Sequence, residues 1–452
     1  MASRWADDEA DKAEDLRRKK EKEEKKRLKL HKQQAEQEAA ASASHQRDLE
    51  SRPAKRRRLS NEAFFQDHIP QEKPAERKLL RFDGGSWGPC RHTSNFETLN
   101  HIEEGSYGWV SRAREVATGR VVALKKVKMD YQQQDGFPIT ALREITILQR
   151  ARHKNIVSLH EVLSGSDPSE VVLVMEFLEH DLKTLQEDMP DPFLASEVKT
   201  LLRQLTSALS FLHSNHIFHR DLKTSNILLS NHGHLKIADF GMARYLPPPD
   251  ARLTQLVVTL WYRAPELLLG TESYGTEIDM WSLGCIFGEL LLKQPILQGK
   301  NEVDELSLIF VLCGLPTDRS WPEFWRLPNA KGLKIPRDSG AKSGGVIRTK
   351  FPFLTHAGAD LLMSLLSLNP EHRPTAAEVL EHPYFAEQPK PKPVEMFPTF
   401  PSRAGQEKRR RRDSPNAPKR GDAPGMRNVD FSGIFANRED EQAGAGFQLR
   451  VA

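Results

Sequence analysis

A short polar block near the middle of the chain constrains the fold more than any other feature. It runs His-Arg-Asp-Leu-Lys-Thr-Ser-Asn over His219–Asn226 and stands between the apolar runs Phe211-Leu212 and Ile227-Leu228-Leu229. A hydrophobic core gives no reason to place aspartate, lysine and asparagine between two such runs. The block therefore indicates a loop with a chemical task, held by a folded body. Asp239-Phe240-Gly241 and Ala264-Pro265-Glu266 follow it along the chain.

Charge and apolar content divide the 452 residues into three parts. Residues 1–95 are rich in Lys, Arg and Glu with a net positive charge, residues 386–452 are basic with many prolines and glycines, and residues 96–385 are net acidic. Hydrophobic residues make up 38% of the chain, a low share for a protein that is folded throughout. We therefore predict a folded domain over 96–385 between two disordered basic arms.

A membrane-spanning protein, a secreted protein and a disulfide or zinc scaffold are not expected from this sequence. No apolar run reaches the ~18–20 residues of a membrane span, and the N-terminus has no apolar signal segment. Cys90, Cys285 and Cys313 share no metal-ligand spacing and cannot all pair, which predicts a reducing compartment, cytosol or nucleus. The basic clusters Arg52–Arg58 and Lys408–Arg412 favour the nucleus, because such clusters serve as localisation signals or nucleic-acid patches; a solvated charge run is the alternative.

Hydrophobic periodicity predicts a strand-rich part followed by a helical part. Strands are expected at Trp109–Arg114, Val121–Lys125 and Glu170–Phe177, with one helix at Ala141–Leu148. Longer helices are expected at Ala195–His213, Glu277–Leu292 and Asp360–Leu368. The fold class is therefore α+β, with a small β-rich lobe over about residues 96–178 and a larger helical lobe over about 179–385.

Two further features of the strand-rich part are compatible with nucleotide binding. Gly105-Ser106-Tyr107-Gly108 lies between two predicted strands, where glycines allow a phosphate to approach the backbone. Taken alone, an ordinary hairpin turn explains this segment better. Lys125 ends the apolar run Val122-Ala123-Leu124, and Glu144 on the next helix is placed to pair with it. A lone strand lysine is usually a surface residue, so this pair gains meaning only with the polar block.

The order and spacing of these segments resemble the signature set of eukaryotic protein kinases. The glycine loop, Lys125, His219–Asn226, Asp239-Phe240-Gly241 and Ala264-Pro265-Glu266 occur in the same order as in that family. The resemblance extends over residues 96–385. It implies a two-lobed protein-kinase fold and an ATP-dependent phosphoryl transfer.

The resemblance assigns catalytic roles to four side chains. Asp221 would accept the proton of the substrate hydroxyl, and Lys223, two residues later, would neutralise the transferred phosphoryl group. Lys125 would hold the α- and β-phosphates, with Glu144 fixing Lys125. A lysine between the aspartate and the asparagine of the block is similar to serine/threonine kinases rather than to tyrosine kinases.

ATP and Mg²⁺ are the cofactors that the resemblance implies. Asn226 and Asp239 offer oxygen ligands of the kind that Mg²⁺ prefers. Glu103 departs from the family pattern, which has the first glycine of the phosphate loop at that place. The adenine pocket, phosphate loop, gatekeeper, hinge and ribose contact are expected to comprise Ile102, Glu103, Glu104, Gly105, Ser106, Tyr107, Gly108, Trp109, Val110, Ala123, Lys125, Met175, Glu176, Phe177, Leu178 and Asp181.

Two segments are similar to the cyclin-dependent kinases. Thr259–Glu266 resembles the proline-directed group, in which the arginine matching Arg263 shapes a floor that favours proline after the phosphorylated residue. Pro138–Glu144 resembles the cyclin-binding helix. By that resemblance, a cyclin swings Glu144 towards Lys125.

Two subfamilies compete within this group. The heptapeptide Pro138–Glu144 is that of a transcription-elongation kinase, with Ala141 where the PITSLRE subfamily has serine, a change that a helix surface would tolerate. Other segments favour the PITSLRE-type cyclin-dependent kinases, namely Ile102–Gly105, Glu179–Lys183, His219–Asn226, Phe287–Leu290 and Met396–Pro401. This resemblance implies an L-type cyclin as partner and nuclear substrates in transcription, pre-mRNA processing or cell-cycle control.

Regulatory phosphorylation follows from the same resemblance. Thr254 matches the activation-loop threonine, and Ser106 and Tyr107 match inhibitory positions, where a phosphate would repel the phosphates of ATP. For Tyr107, an aromatic lid residue without a regulatory role is the alternative. A phosphate on Thr254 needs a basic cradle. The arginines placed to form it are Arg143, Arg220 and Arg244.

Two other functions compete with an active kinase. A pseudokinase scaffold would lack at least one of Lys125, Asp221, Asn226 and Asp239, and all four are present. A nucleic-acid adaptor would act through the basic arms, but these lack interleaved aromatics and the folded part is net acidic, which leaves only non-specific attraction to RNA. The insert Arg337–Lys350, rich in Gly and Ser, is expected to be a plain surface loop, with a loop that binds a partner as the alternative.

Overall fold

The computed structural model describes residues 89–104, 108–129, 137–167, 170–248, 252–254, 257–333 and 346–400. Of the predicted arms, residues 1–88 and 401–452, with their basic clusters, lie outside the described residues, as do loop residues 105–107 and residues 337–345 of the insert. Residues 347–350 of the insert form a short helix in which Ile347 is buried, so the expectation of a plain surface loop is wrong there. Within the described ranges, no helix combines the length and the apolar character that crossing a membrane requires.

The small lobe contains a five-stranded antiparallel sheet. Its strands are β1 Phe96–Glu104, β2 Gly108–Glu115, β3 Val121–Val127, β4 Leu159–Ser164 and β5 Val171–Glu176. The strand order is β1-β2-β3-β5-β4, so β3 lies at the centre. Its sequence Val-Val-Ala-Leu-Lys-Lys-Val is mostly apolar because residues on both of its faces are covered.

Helix α1 (Ile139–Arg150) packs on this sheet through one face. Ile139 and Leu142 are 61% and 50% exposed, whereas Ala141 and Glu144, three positions apart on the opposite face, are buried. Ala141 is only 7% exposed, so the expectation that residue 141 lies on the helix surface is wrong. The apolar spacing of the helix turns this residue towards the core.

The large lobe is helical. Its helices are α2 Leu182–Asp188, α3 Ala195–Ser214, α4 Pro265–Leu268, α5 Glu277–Leu292, α6 Glu302–Cys313, α7 Ile347–Lys350, α8 His356–Leu365 and α9 Ala376–Leu380. Every residue of α5 from Ile278 to Leu290 is buried, as expected of a helix that is hydrophobic on all sides. Helix α5 therefore provides a rigid base for the segments packed on it.

Two small sheets hold the polar segments of the sequence. They comprise β6 His180–Asp181, β8 Ile227–Leu229 and β9 Leu235–Ile237 in one sheet, and β7 Ile217–Phe218 paired with β10 Arg244–Tyr245 in the other. The polar block 219–226 connects β7 to β8, and Asp239 follows β9 closely. The pairing of β8 with β9 therefore brings these two segments together.

Ordered structure extends beyond the predicted domain at both ends. Residues 386–400, predicted to begin the disordered tail, pack on the helical lobe with Phe397 and Phe400 buried. Before residue 96, Arg91 pairs with Glu115 of β2 at 2.6 Å, and its carbonyl accepts the N–H of Ser164 on β4. Between these extended ends, the predicted two-lobed α+β fold is confirmed.

Candidate active site

The polar block is held in place by one buried carboxylate, that of Asp279 in α5. Its two oxygens accept the backbone N–H groups of His219 (2.8 Å) and Arg220 (2.9 Å), and Nε2 of His213 lies 3.1 Å away. Arg220 has a φ of 66°, a left-handed conformation that costs a non-glycine residue about 1–3 kcal/mol. Asp279 stabilises this strained turn because it accepts two neighbouring N–H groups at once.

The carboxylate of Asp221 is oriented by donors from two segments. Thr259 donates to Oδ1 through its hydroxyl (2.8 Å) and its backbone N–H (3.2 Å), and Nζ of Lys223 donates to Oδ2 (3.0 Å). Nζ of Lys223 also donates to the Thr259 hydroxyl at 3.1 Å. A carboxylate and an ammonium group side by side can accept a proton and neutralise a phosphoryl group. Sequence reasoning missed Thr259, whose only signal is its place at the start of the segment 259–266.

Lys125 lies between two carboxylates from different parts of the fold. Its Nζ donates to Glu144 of α1 at 2.7 Å and to Asp239 at 2.9 Å. Burial alone lowers the pKa of a lysine, but the charges of Asp239 and Glu144 outweigh it and raise the pKa of Lys125. The ammonium group therefore stays charged at neutral pH and can bind phosphate oxygens. These three predicted site residues are brought together by β3, α1 and the segment after β9.

Asn226 and Asp239 have the chemistry of a magnesium site. Nδ2 of Asn226 donates to the carbonyl of Asp221 at 2.8 Å, which leaves the amide oxygen as the atom suited to a cation. Burial disfavours the charged form of Asp239, but Lys125 more than offsets this and lowers the pKa of the Asp239 carboxyl. An ionised carboxylate and an amide oxygen are hard ligands, so the residues present fit Mg²⁺.

The predicted adenine-binding residues lie along neighbouring strands. Ala123 on β3 pairs with Met175 on β5, and Lys125 pairs with Val110 on β2. Side chains along these strands and the hinge are buried or half-buried, namely Ile102, Val110, Ala123, Met175, Phe177 and Leu178. The predicted loop residues Gly105, Ser106 and Tyr107, with the side chains of Glu103 and Glu104, lie outside the described residues.

Glu176 of the predicted hinge and Asp181, the predicted ribose contact, both have partners in the helical lobe. Glu176 pairs with Lys236 of β9 at 2.9 Å, which ties the end of β5 to the small sheet. Asp181 accepts the N–H of Thr184 at 2.8 Å and so caps the beginning of α2. The segment proposed to meet the nucleotide is therefore fixed on the helical lobe.

The beginning of β2 carries the last two predicted nucleotide-binding residues. Gly108 has no room for a side chain, because a Cβ atom would lie 2.1 Å from the carbonyl oxygen of Lys126. Trp109 is 40% exposed, and Nζ of Lys128 lies 4.8 Å from the centre of its ring. The close approach of β2 to β3 at this point explains one glycine of the loop without reference to phosphate.

Three predicted arginines form a positively charged cluster. Burial lowers the pKa of Arg220, and the charges of Arg244 and Arg143 act in the same direction. Burial and the charge of Arg244 likewise lower the pKa of Arg143. Arg220 donates to the Tyr274 hydroxyl at 3.0 Å, which donates to the carbonyl of Thr254 at 2.6 Å. An anion would relieve the repulsion among these charges, and the exposed Thr254 is linked to Arg220 through the Tyr274 hydroxyl.

Val258 has an unusual backbone conformation beside Thr259. Its φ is 63°, which is strained for a β-branched residue. The buried guanidinium of Arg263 donates to the carbonyl oxygens of Val257 (3.0 Å) and Val258 (3.1 Å) and pairs with Glu302 of α6 at 2.6 Å. The Val258 carbonyl is therefore engaged within the protein.

A buried network that sequence reasoning missed connects the polar block to the segment after Thr259. Glu289 of α5 accepts the hydroxyls of Thr224 (2.8 Å) and Tyr262 (2.7 Å). Burial raises the pKa of Glu289 to about 7. An acidic residue within the apolar sequence of α5 is the signal that could have revealed this network.

Known proteins share this arrangement of segments. The protein kinase domain family matches residues 96–385. The chain is 54% identical over 315 residues to serine/threonine-protein kinase ppk23 of Schizosaccharomyces pombe, which is 70% of this chain and 78% of that protein. It is 46% identical over 330 residues to cyclin-dependent kinase 11 of Dictyostelium discoideum, covering 73% of this chain and 91% of that protein. It is 44% identical over 370 residues to cyclin-dependent kinase 11B of Mus musculus, covering 80% and 46% respectively.

The chain therefore belongs to the protein kinase family. Within that family it is an ATP-dependent serine/threonine kinase of the cyclin-dependent type, and the predicted resemblance to the PITSLRE kinases is confirmed. The match to the mouse relative spans 46% of that protein's length.

Proposed function

We propose that the protein transfers the γ-phosphate of ATP to serine or threonine residues that precede proline, in nuclear proteins and in complex with a cyclin. The observation that supports the chemistry best is the Asp221 carboxylate, which Thr259 and Lys223 orient while Lys125 and Asp239 form a second charged pair. A proton acceptor, two fixed cations and hard ligands for a metal ion are the parts that phosphoryl transfer needs.

The proposed reaction assigns one task to each side chain. Asp221 accepts the proton of the substrate hydroxyl as its oxygen bonds to the γ-phosphorus and the bond to the bridging oxygen of ADP breaks. Lys223 neutralises charge on the phosphoryl group in transit, and Lys125 holds the α- and β-phosphates. Mg²⁺ held by Asn226 and Asp239 would neutralise the charge of the phosphate oxygens.

The preference for proline follows from the Val258 carbonyl. An exposed carbonyl at this place could accept the N–H of the substrate residue that follows the phosphorylated one. Arg263 occupies this oxygen, so an ordinary residue would leave its N–H without a partner, at a cost of about 1–3 kcal/mol. Proline has no N–H and loses nothing.

We expect the chain with an L-type cyclin to phosphorylate a Ser-Pro peptide about 10-fold or more faster than its Ser-Ala twin, since 1.4 kcal/mol corresponds to a factor of about ten. Phosphate incorporation from labelled ATP measures kcat/KM for both peptides. Val258→Gly, which relaxes the backbone, should lower the ratio of kcat/KM for the Ser-Pro peptide to kcat/KM for the Ser-Ala peptide. Equal kcat/KM values for the two peptides would contradict the proposed preference for proline. Equal kcat/KM values with and without cyclin would contradict the proposed need for a cyclin.

The surface proposed for the cyclin is the outer face of α1. Ile139 and Leu142 are exposed there, while Glu144 on the inner face pairs with Lys125. A partner that binds this helix therefore acts directly on the ion pair of the active site. The names of the relatives support a cyclin, and the resemblance to PITSLRE kinases supports the L type.

Phosphorylation of Thr254 is proposed to activate the enzyme by filling the cluster of arginines. We expect Thr254→Ala and Arg244→Ala each to lower kcat/KM about 10-fold, because a phosphate forms up to three charge-assisted hydrogen bonds at such a cluster. The double variant should lose little more than either single one. Arg252→Ala is the matched control, because Arg252 is largely exposed and, among the described residues, forms an ion pair with Glu272 at 3.4 Å. Additive losses of kcat/KM in the double variant would contradict the proposal that Arg244 binds the phosphate on Thr254.

The nucleus is the compartment that we propose, on the basis of the clusters Arg52–Arg58 and Lys408–Arg412, which lie outside the described residues. The same clusters would attract RNA only through salt-sensitive charge. Fluorescence imaging of the tagged full chain tests the compartment, and a purely cytoplasmic signal would contradict it.

A further inference from the structure

We infer that Phe400, at the end of the segment 386–400, is a positioning residue for nucleotide binding. This segment is named the C-terminal strap. Phe400 acts through residues 179–181, which follow the hinge and include Asp181. The inference rests on the proposed function, in which Asp181 meets the ribose of ATP.

The C-terminal strap is anchored on the beginning of α3. The N–H of Lys392 donates to the carbonyl of Ser196 (3.1 Å), and the hydroxyl of Thr200 donates to the carbonyl of Lys392 (2.6 Å). Nζ of Lys392 pairs with the buried Glu197 at 2.8 Å. Prolines at 389, 391 and 393 stiffen the strap, so its ordering costs little conformational entropy. The strap therefore has a defined course across the helical lobe.

Two phenylalanines fix the end of the strap, and both are buried. Phe397 lies against Gly233, where an added Cβ would come within 2.6 Å of the ring. Gly233 has a φ of 80°, so the turn between β8 and β9 needs glycine for its conformation as well as for this contact. Phe400 lies edge-on to the rings of His180 (6.1 Å between centres) and Phe193 (6.2 Å). Phe400 is thus the strap residue that packs on the segment after the hinge.

His180 connects Phe400 to the nucleotide side of the lobe. Its Nε2 lies 2.8 Å from Oδ1 of Asn231, and Asn231 donates its N–H to Glu179 at 3.2 Å. His180 is therefore held between the strap on one side and the β8–β9 turn on the other. Loss of the Phe400 ring would leave a void on the strap side, into which His180 can shift. Such a shift moves the adjacent Asp181, whose place opposite Leu228 is set by the pairing of β6 with β8.

If the strap only stabilised the fold, substitutions in it would change stability and leave nucleotide binding unaltered. Phe397 allows this case to be distinguished from a role of Phe400 in nucleotide binding. Phe397 is buried in the same strap but packs on the β8–β9 turn. The backbone of that turn has its own support, because Gln204 donates to the carbonyl of Gly233 (3.0 Å) and Ser230 donates to the carbonyl of His234 (2.9 Å). Loss of either ring should therefore destabilise the protein, whereas only loss of Phe400 should alter nucleotide binding.

The test uses the full chain in complex with its cyclin. Phe400→Ala and Phe397→Ala should both lower the melting temperature by several degrees, as loss of a buried ring does. Phe400→Ala should raise the KM for ATP about 3- to 10-fold, the range for a substitution that acts on a site through an intermediate contact. Its kcat and its KM for peptide should stay close to those of the wild type, and Phe397→Ala should leave the KM for ATP unchanged. Phe400→Leu, which keeps most of the apolar volume but not the ring edge, should show the same change in smaller measure.

A double-mutant cycle with His180 completes the test. His180→Ala should raise the KM for ATP to a similar extent, and Phe400→Ala in that background should add nothing, because both act through one contact. An unchanged KM for ATP in Phe400→Ala, or equal KM changes in Phe400→Ala and Phe397→Ala, would overturn the inference. Additive changes in the cycle would overturn it as well. A wild-type chain that does not turn over ATP would instead overturn the proposed function.

Discussion

Replacing Asp221 with asparagine should lower kcat for a Ser-Pro peptide by about 10²- to 10⁴-fold, the usual contribution of a positioned general base. The amide has no basic oxygen that can take the proton of the substrate hydroxyl. Its NH₂ group would also face Nζ of Lys223 or the hydroxyl of Thr259, both of which donate to Asp221 in the wild type. The substitution therefore removes the proton acceptor and disturbs the cation beside it.

Nucleotide binding separates a chemical role of Asp221 from a structural one. The Lys125–Asp239 pair does not involve the exchanged atom, and Asn226 keeps its shorter hydrogen bond (2.8 Å) to the backbone carbonyl of residue 221 even where its contact with Oδ2 (3.3 Å) is lost. The Kd for ADP with Mg²⁺ should therefore change by less than about threefold in Asp221→Asn. Asp304→Asn makes the same chemical change at a carboxylate that accepts a backbone N–H from Lys300, and it should keep full activity. Retained activity in Asp221→Asn would show that another group accepts the proton. Loss of both activity and ADP binding in Asp221→Asn would show that Asp221 has a structural role in the site.

Most of the fold was predictable because the hydrophobic pattern of its strands and helices indicates which of them are buried and in which lobe they lie. The apolar sequences of β3 and α5 can only be buried, and the alternation of short strands and long helices sets the two lobes. The ends of the domain were not predictable by the same means. Phe397 and Phe400 stand in a charged, proline-rich segment whose composition indicates disorder, and only contacts with distant residues such as Gly233 give it a place.

The site shows a similar division between what is local and what is not. Asp221, Asn226 and Asp239 were predictable because each belongs to a recognisable segment. Thr259 and Glu289 act through contacts made only after folding, so their roles could not be predicted from the local sequence. The backbone conformation of Val258 could not be predicted either, because a β-branched residue is among those least expected at positive φ.

Replacing Asp279 with asparagine should lower both stability and kcat, because this carboxylate supports the strained backbone of the polar block. Oδ1 accepts the N–H of Arg220, and Oδ2 accepts that of His219. In either orientation the amide presents its NH₂ group to one of these donors, and loss of a charge-assisted hydrogen bond costs about 1.5–3 kcal/mol. The melting temperature should fall by about 2–4 °C per kcal/mol for a domain of this size, as calorimetry can show. The left-handed turn at Arg220 loses support, so Asp221 shifts and kcat should fall about 10-fold or more.

Glu266→Gln provides a control matched in stability for Asp279→Asn. Glu266 forms a bidentate pair with Arg373 at 2.6 and 2.7 Å, and both side chains are buried. Breaking such a pair costs about 3–5 kcal/mol, as much as or more than the change at Asp279. At a temperature where both variants are fully folded, only Asp279→Asn should lose kcat, because only Asp279 bonds to the backbone beside Asp221. Equal losses of kcat in the two variants would mean that stability, and not the position of the polar block, limits the reaction.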